Sequence, residues 1–185
     1  MEFGLILIDI QKGLDELDYY GGQRNNPEAE TNCKALLEAF RGYNYPCIFI
    51  QHDSTNPASP LFPNKPGHEL KKEITPLPDE PVFHKNVNSA FIGTSLEEWI
   101  KEREIKKVVM AGLTTEHCIS TSVRMCANLG FNTILIEDAT AAFQKTLPNG
   151  NIIDAELVHQ VELAILRDEF AEIINTKEML SRLKH

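Results

Sequence analysis

The chain has 185 residues, 42% hydrophobic and 24% charged, an ordinary globular composition that argues against disorder and suffices to bury a core without staples. Its 18 basic and 27 acidic side chains leave a formal charge of −9, which disfavours nucleic acid or an anionic membrane as a partner but is silent on small substrates. MEFGLILIDI lacks the basic region and the apolar length of a secretory leader, and no stretch approaches the roughly 20 apolar residues of a bilayer span.

The expected location is therefore cytoplasmic, where thiols stay reduced. Four cysteines at uneven spacing, without a CxxC pair, then read as free thiols rather than a disulfide frame or a zinc site.

In chain order, FGLILID (3–9) is a continuous apolar run, as expected of a strand buried on both faces. Asn26 and Pro27 supply an N-cap and a first-turn proline for a helix whose apolar stripe is Ala29, Cys33, Leu36, Leu37 and Phe40. Pro46 opens a second strand, CIFIQ (47–51), and a loop rich in Pro, Asn and Ser runs from His52 to about Gly67. PVFHK (81–85) reads as a third strand. Thr94 and Glu97 form a capping box for a helix carrying Leu96, Trp99 and Ile100.

KVVMA (107–111) is strand four, residues 117–129 a helix, and FNTILIE (131–137) strand five. A turn at PNG (148–150) precedes a helix over 154–168, AEIIN (171–175) is the last strand, and Thr176 caps a final helix. No repeat or linker divides the chain, so residues 1–185 form one domain. Strand and helix alternating with apolar strands predicts an α/β fold of three layers, α/β/α and Rossmann-like, with a mostly parallel six-stranded sheet. In such sheets ligands bind beyond the carboxyl ends of the strands.

Few polar residues stand at those ends. Strand one ends in Asp9 and strand three in Lys85, while strand four passes through Gly112 and a short turn to Cys118. An acid, an ammonium and a thiol on one rim suit nucleophilic acyl transfer through a thioester, with the acid shuttling the proton and backbone N–H groups at the helix start forming an oxyanion hole. A thiol of pKa near 8.5 is only about 3% ionised at neutral pH, and both a helix N-terminus and a lysine favour the anion. A lone cysteine is more often core than nucleophile. Cys33, Cys47 and Cys126 lie on apolar stripes or inside a strand and fit that description, whereas Cys118 lies off the stripe at its helix start.

LILIDIQKG, HKNVNSAFIGTSLEEWI, VVMAGLTTEHCISTSVRMCANLGF and IEDATAAF follow one another in that order and span nearly the whole chain. Together these segments resemble the isochorismatase-like cysteine hydrolase superfamily, which includes nicotinamidases and carbamoylsarcosine-type amidohydrolases. The resemblance implies Asp9, Lys85 and Cys118 as a catalytic triad, a cis peptide before Thr114, and the Thr114 and Cys118 N–H groups as the oxyanion hole. It also implies a small-molecule substrate and a homo-oligomer, a dimer or larger.

Nicotinamidases bind a metal through Asp-x-His and further histidines. Here Asp53 is followed by Thr55, with His68 and His84 as the remaining candidates, so that set is incomplete and neither metal nor other cofactor is expected. An intact Asp–Lys–Cys set favours cleavage of an amide, carbamoyl or ureido C–N bond. The alternatives are the vinyl-ether hydrolysis of true isochorismatases, which does not depend on a thiol, and a redox-sensing or ligand-binding protein with a reactive thiol. Gln51, His52 and Phe91 are candidates for the pocket wall. His117, adjacent to Cys118, would point about 100° away from it on a helix. GGQ (21–23) lacks the phosphate-binding glycine pattern, which disfavours a dinucleotide. Specificity is expected from 52–70, from the segment Gln11 to Tyr20, and from 143–150.

Overall fold

The computed structural model describes residues 1–184. The chain runs β1 (Phe3–Ile8), α1 (Ala29–Gly42), β2 (Cys47–His52), β3 (Val82–Lys85), α2 (Leu96–Glu102) and β4 (Lys107–Leu113). It continues with a π-helical turn (Thr115–Ile119), α3 (Ser120–Asn128), β5 (Asn132–Ala141) and a small antiparallel hairpin, β6 (Lys145–Thr146) with β7 (Ile152–Ile153). It closes with α4 (Ala155–Leu166), β8 (Glu172–Ile174) and α5 (Thr176–Arg182).

Six strands form one sheet in the order β3-β2-β1-β4-β5-β8, every neighbouring pair parallel. Strand alternation separates two apolar faces. Leu5, Leu7, Phe49, Val109, Ile134 and Ile136 pack under α1 (Cys33, Leu36, Leu37, Phe40) and α5 (Met179). Ile6, Ile8, Ile48, Ile50, Met110 and Leu135 pack under α2 (Ile100), α3 (Val123, Cys126) and α4 (Leu166). This is the expected three-layer architecture, with a sheet that is all parallel. β2 and β3 lie to one side of β1, and β4, β5 and β8 to the other, so the order reverses between β1 and β4, where an open sheet leaves a crevice.

Gly112 brings the two strands together at that reversal. It pairs with Ile8 in register, has φ 128°, and a Cβ built on it would lie 2.1 Å from the Ile8 carbonyl oxygen. No side chain fits there.

Several expected caps are replaced by contacts from distant chain. Asn26 does not cap α1; its amide donates to the Thr140 carbonyl (2.8 Å), tying the helix entry to β5. The capping box at Thr94 does not form, because the Thr94 hydroxyl donates to the Ala90 carbonyl (2.6 Å) and Ser95 occupies the cap position. Asn175 caps α5 by accepting from the Glu178 N–H (2.9 Å), while Thr176 donates its N–H and hydroxyl to Asp138 (2.7 Å each). β5 runs on to Ala141 past a register shift opposite Met110 and Gly112. Asp154, read as the first residue of a helix over 154–168, is instead the N-cap of α4, accepting from the Leu157 N–H.

Candidate active site

Three strand ends deliver the polar groups. Asp9 follows β1 in the left-handed region (φ 51°), its N–H donating to the Ile50 carbonyl (2.9 Å) and its own carbonyl accepting from the Gln11 N–H (2.9 Å). That turn swings the carboxylate toward β2 and β3. Lys85, the last residue of β3, reaches back across β2 and donates to Asp9 Oδ2 at 2.6 Å; their side chains are 0% and 2% exposed. The same Nζ lies 3.3 Å from Cys118 Sγ and 3.2 Å from His52 Nδ1. An ammonium has three N–H donors, and here each has an acceptor.

Cys118 sits in the π-helical turn rather than in regular α-helix, after a cis Leu113–Thr114 peptide. The Thr114 carbonyl accepts from the N–H groups on either side of Cys118, those of His117 (3.1 Å) and Ile119 (3.2 Å), and the Cys118 N–H is not one of the pair. Cys118 is partly buried, while Cys33, Cys47 and Cys126 are buried outright. A carboxylate oxygen of Asp9, a ring nitrogen of His52 and Sγ lie within 4.8 Å of one another. Asp9 Oδ1 is buried and has no hydrogen-bond partner among the described residues. A buried carboxylate oxygen left open in this way can take a proton.

The electrostatics differ from the sequence expectation in one respect. Burial, reinforced by the Asp9 charge, pushes the Cys118 thiol well above its ordinary pKa, and Lys85 offsets only part of this. Burial alone would lower the Lys85 pKa, but the charge and hydrogen bond of Asp9, joined by Cys118, outweigh it and the net shift is upward. Burial and the nearby ammonium hold His52 below the usual range, so it is a neutral acceptor. The upward shift at sulfur favours a protonated thiol at rest over a standing thiolate.

These groups open into a cavity of about 210 Å³, walled by Leu14, Tyr19, Tyr20, Ser59, Leu61, Asn88, Leu113, Thr114 and His117. Of the three residues expected at its wall, His52 lines it. Gln51 points away, donating to the His68 carbonyl (2.9 Å). Phe91 packs in the core and stacks on Phe131 with ring centroids 6.3 Å apart. Asn88, whose Oδ1 lies 3.9 Å from Cys118 Sγ, escaped the sequence reading; its one signal is its place three residues after Lys85. His117, in the π-helical turn, also lines the wall. Tyr20 is held against the wall by stacking on Phe143, with centroids 5.0 Å apart.

The metal-binding pattern of nicotinamidases does not fit here. Asp53 has Thr55 where that pattern needs histidine, and neither lines the catalytic cavity. Asp53 instead bonds to His68 and His84, and with His84 it borders an adjoining hollow.

Residues 4–178 match the family model described as the isochorismatase domain. An uncharacterized isochorismatase family protein of Bacillus subtilis (strain 168), YrdC, is 45% identical over 177 residues, covering 96% of this chain and 94% of that protein. A crystal structure of an isochorismatase-family protein from Chromobacterium violaceum ATCC 12472 superposes with a TM-score of 0.94 at 39% identity, covering 99% of this chain and 94% of that one. A ureidoacrylate amidohydrolase, RutB, of Cronobacter sakazakii is 33% identical over 73 residues, 40% of this chain and 32% of its own length.

Proposed function

The chain belongs to the isochorismatase family of hydrolases, and we propose that within it this protein cleaves a C–N bond of a small molecule through a covalent thioester at Cys118. The observation that carries the reading is the single Lys85 ammonium bonded at once to the Asp9 carboxylate and the Cys118 sulfur. The amidohydrolase named among the relatives is consistent with an amide, carbamoyl or ureido substrate.

In the proposed cycle Asp9 takes the thiol proton as sulfur attacks the carbonyl carbon, so the thiolate exists only while a substrate is being attacked. The oxyanion meets the N–H groups of Thr114 and Cys118. Asp9 returns the proton to the departing nitrogen, and ammonia or an amine leaves with the C–N bond. Asp9 then takes a proton from water, which attacks the thioester, and the proton returns to sulfur as the acid is released. Lys85 stays charged throughout, holds the carboxylate in place and balances whichever neighbour is anionic. His52 fixes the ammonium from the third side.

A redox sensor needs no proton acceptor and ammonium beside its thiol, and here Lys85 bonds to both the Asp9 carboxylate and the Cys118 sulfur. Thiol-independent vinyl-ether hydrolysis leaves Cys118 without a task.

The test is ammonia release from a panel of primary amides, carbamoyl and ureido compounds, with intact-mass spectrometry of the trapped enzyme. An acyl adduct at Cys118 and a silent Cys118→Ala variant are expected. Undiminished turnover in Cys118→Ala rules out the covalent route.

A further inference from the structure

The catalytic cavity carries one polar group that the proposed reaction does not use. The Tyr20 hydroxyl is buried and has no hydrogen-bond partner among the described residues. A buried donor left open is costly, so its place on a cavity wall calls for a partner that the fold itself does not supply. The side chain is firmly held. Its ring stacks on Phe143 and meets the Tyr19 ring edge-on, with centroids 5.0 Å apart in each case. The chain just after it is tied down by the Gln144 amide, which donates to the Gly21 carbonyl (2.6 Å).

Charge on the wall is as telling. Among the described residues that line the cavity, Asp9 is the one charged side chain. Its counter-charge, Lys85, lies buried behind it with three acceptors already in place, so the pair is neutral as a whole. Burial lowers the pKa of His52 and of His117, and both imidazoles are neutral at neutral pH. Burial also raises the Tyr20 pKa, with the charges of Tyr19, Glu16 and Asp9 adding to the rise and Ser59 opposing it, so the hydroxyl stays an O–H donor. A charge on the ligand would enter without a counter-ion, and an unpaired charge out of water costs far more than a paired polar group.

Size sets the remaining limit. A volume of about 210 Å³ is about seven times the share of one water molecule in the liquid, room for about seven non-hydrogen atoms. Leu14, Leu61 and Leu113 line that room and pack in one apolar cluster with Tyr20, so the groups around the hydroxyl offer a ligand contact area but no further charge.

We propose that, with its carbonyl at Cys118 as the proposed reaction requires, the ligand of this cavity is a compact, uncharged carboxamide or ureide of about seven non-hydrogen atoms whose far end carries a hydrogen-bond acceptor met by the Tyr20 hydroxyl. A neutral carbonyl oxygen suits that hydroxyl. A carboxylate would accept the same hydrogen bond but leave its charge unpaired, and an amidinium would set a donor against a donor. Tyr20 thus acts on binding and not on the bond that breaks.

The experiment separates recognition from reaction. Calorimetric titration of the full chain carrying Cys118→Ala, which has no sulfur to acylate, reads binding alone. Malonamide, isovaleramide, malonamate and malonamamidine have equal numbers of non-hydrogen atoms and differ at the far end, which is in turn a neutral acceptor, apolar, anionic and cationic. Malonamide should bind, isovaleramide about tenfold more weakly, and the two ions about 10²-fold more weakly. Adding Tyr20→Phe should cost malonamide about tenfold and leave isovaleramide unchanged, the latter showing that the variant is folded. With Cys118 restored, Tyr20→Phe should raise KM for malonamide about tenfold with little change in kcat. Equal binding of malonamide and isovaleramide, undiminished binding of either ion, no binding of any of the four, or full affinity for malonamide in Tyr20→Phe overturns the proposal. The expected binding order without turnover by the unmodified chain supports it and overturns C–N cleavage instead. The four-ligand comparison is read without Tyr20→Phe, so it decides even where that variant fails to fold.

Discussion

At the scale of single residues, Asp9 and Lys85 pull the Cys118 thiol in opposite directions, and the structure says which prevails. Burial and the carboxylate hold the proton on sulfur; the ammonium opposes them and loses. A dissociation follows in which reactivity and turnover move oppositely. Asp9→Asn removes the charge that holds the thiol up, so alkylation of Cys118 by iodoacetamide near neutral pH should be faster than in the unmodified protein. The same variant has no proton shuttle and should lose about 10²–10⁴-fold in turnover of any substrate found. Peptide-resolved alkylation rates and a steady-state assay check both halves, and slower alkylation in the variant would contradict the charge argument. Lys85→Met should do the reverse to the thiol, raising its pKa further and slowing alkylation. Cys33, Cys47 and Cys126 should stay inert in every variant, since each is buried with its pKa pushed up.

At the scale of elements, the site depends on how closely β1 and β4 approach where the strand order reverses. Gly112 permits that approach, and Gly112→Ala would set a methyl group against the Ile8 carbonyl at a φ that side chains rarely adopt. The expected result is a loss of well over 1 kcal/mol in urea denaturation, and in a variant that still folds a larger loss in kcat than in substrate affinity, because Asp9 follows Ile8 directly. Gly130→Ala is the control: its φ is also positive, at 86°, but a Cβ there meets nothing within 4 Å. Stability loss without a kcat effect is expected for it, and equal kcat losses in the two variants would sink the positional argument. The same elements show what a sequence discloses. FGLILI, CIFI and KVVMA announce buried strands through unbroken apolar runs, and Asp9 after FGLILI and Lys85 at the end of PVFHK mark the functional rim. Caps were harder to read, because a cap is a local signal that distant chain can override: Asn26 answers to Thr140 and Thr94 to Ala90. The cavity wall was harder still. Asn88, Ser59 and Leu61 gain their place from loop paths, and Gln51 and Phe91 face away from the cavity through strand pleat and core packing.

At the scale of the whole molecule, the shifts that titrate above neutral pH act together. The four thiols, the Tyr20 hydroxyl and Lys85 all have pKa values raised in the fold, Cys47 and Cys126 to about 12 and Cys33 and Cys118 further. Unfolding returns each thiol to water and a pKa near 8.5. Below that value both states hold the proton and the contribution to stability is complete. Above it the unfolded chain releases protons that the fold retains, so stability falls as pH rises. One unit above 8.5, each thiol still protonated in the fold costs about 1.4 kcal/mol relative to neutral pH. Tyr20 and Lys85 add losses of the same sign only from about pH 10 upward, where their unfolded counterparts begin to titrate. The thermal midpoint should therefore hold from pH 7 to 8 and drop steeply between about pH 8.5 and 10.5. The thiol origin is separable from general alkaline damage by Cys47→Ala. That variant starts less stable for want of packing, yet should lose less of its midpoint over the same pH interval than the unmodified protein does. Equal slopes in the two proteins would mean that Cys47 titrates in the fold much as it does in water, and that its burial does not protect the proton.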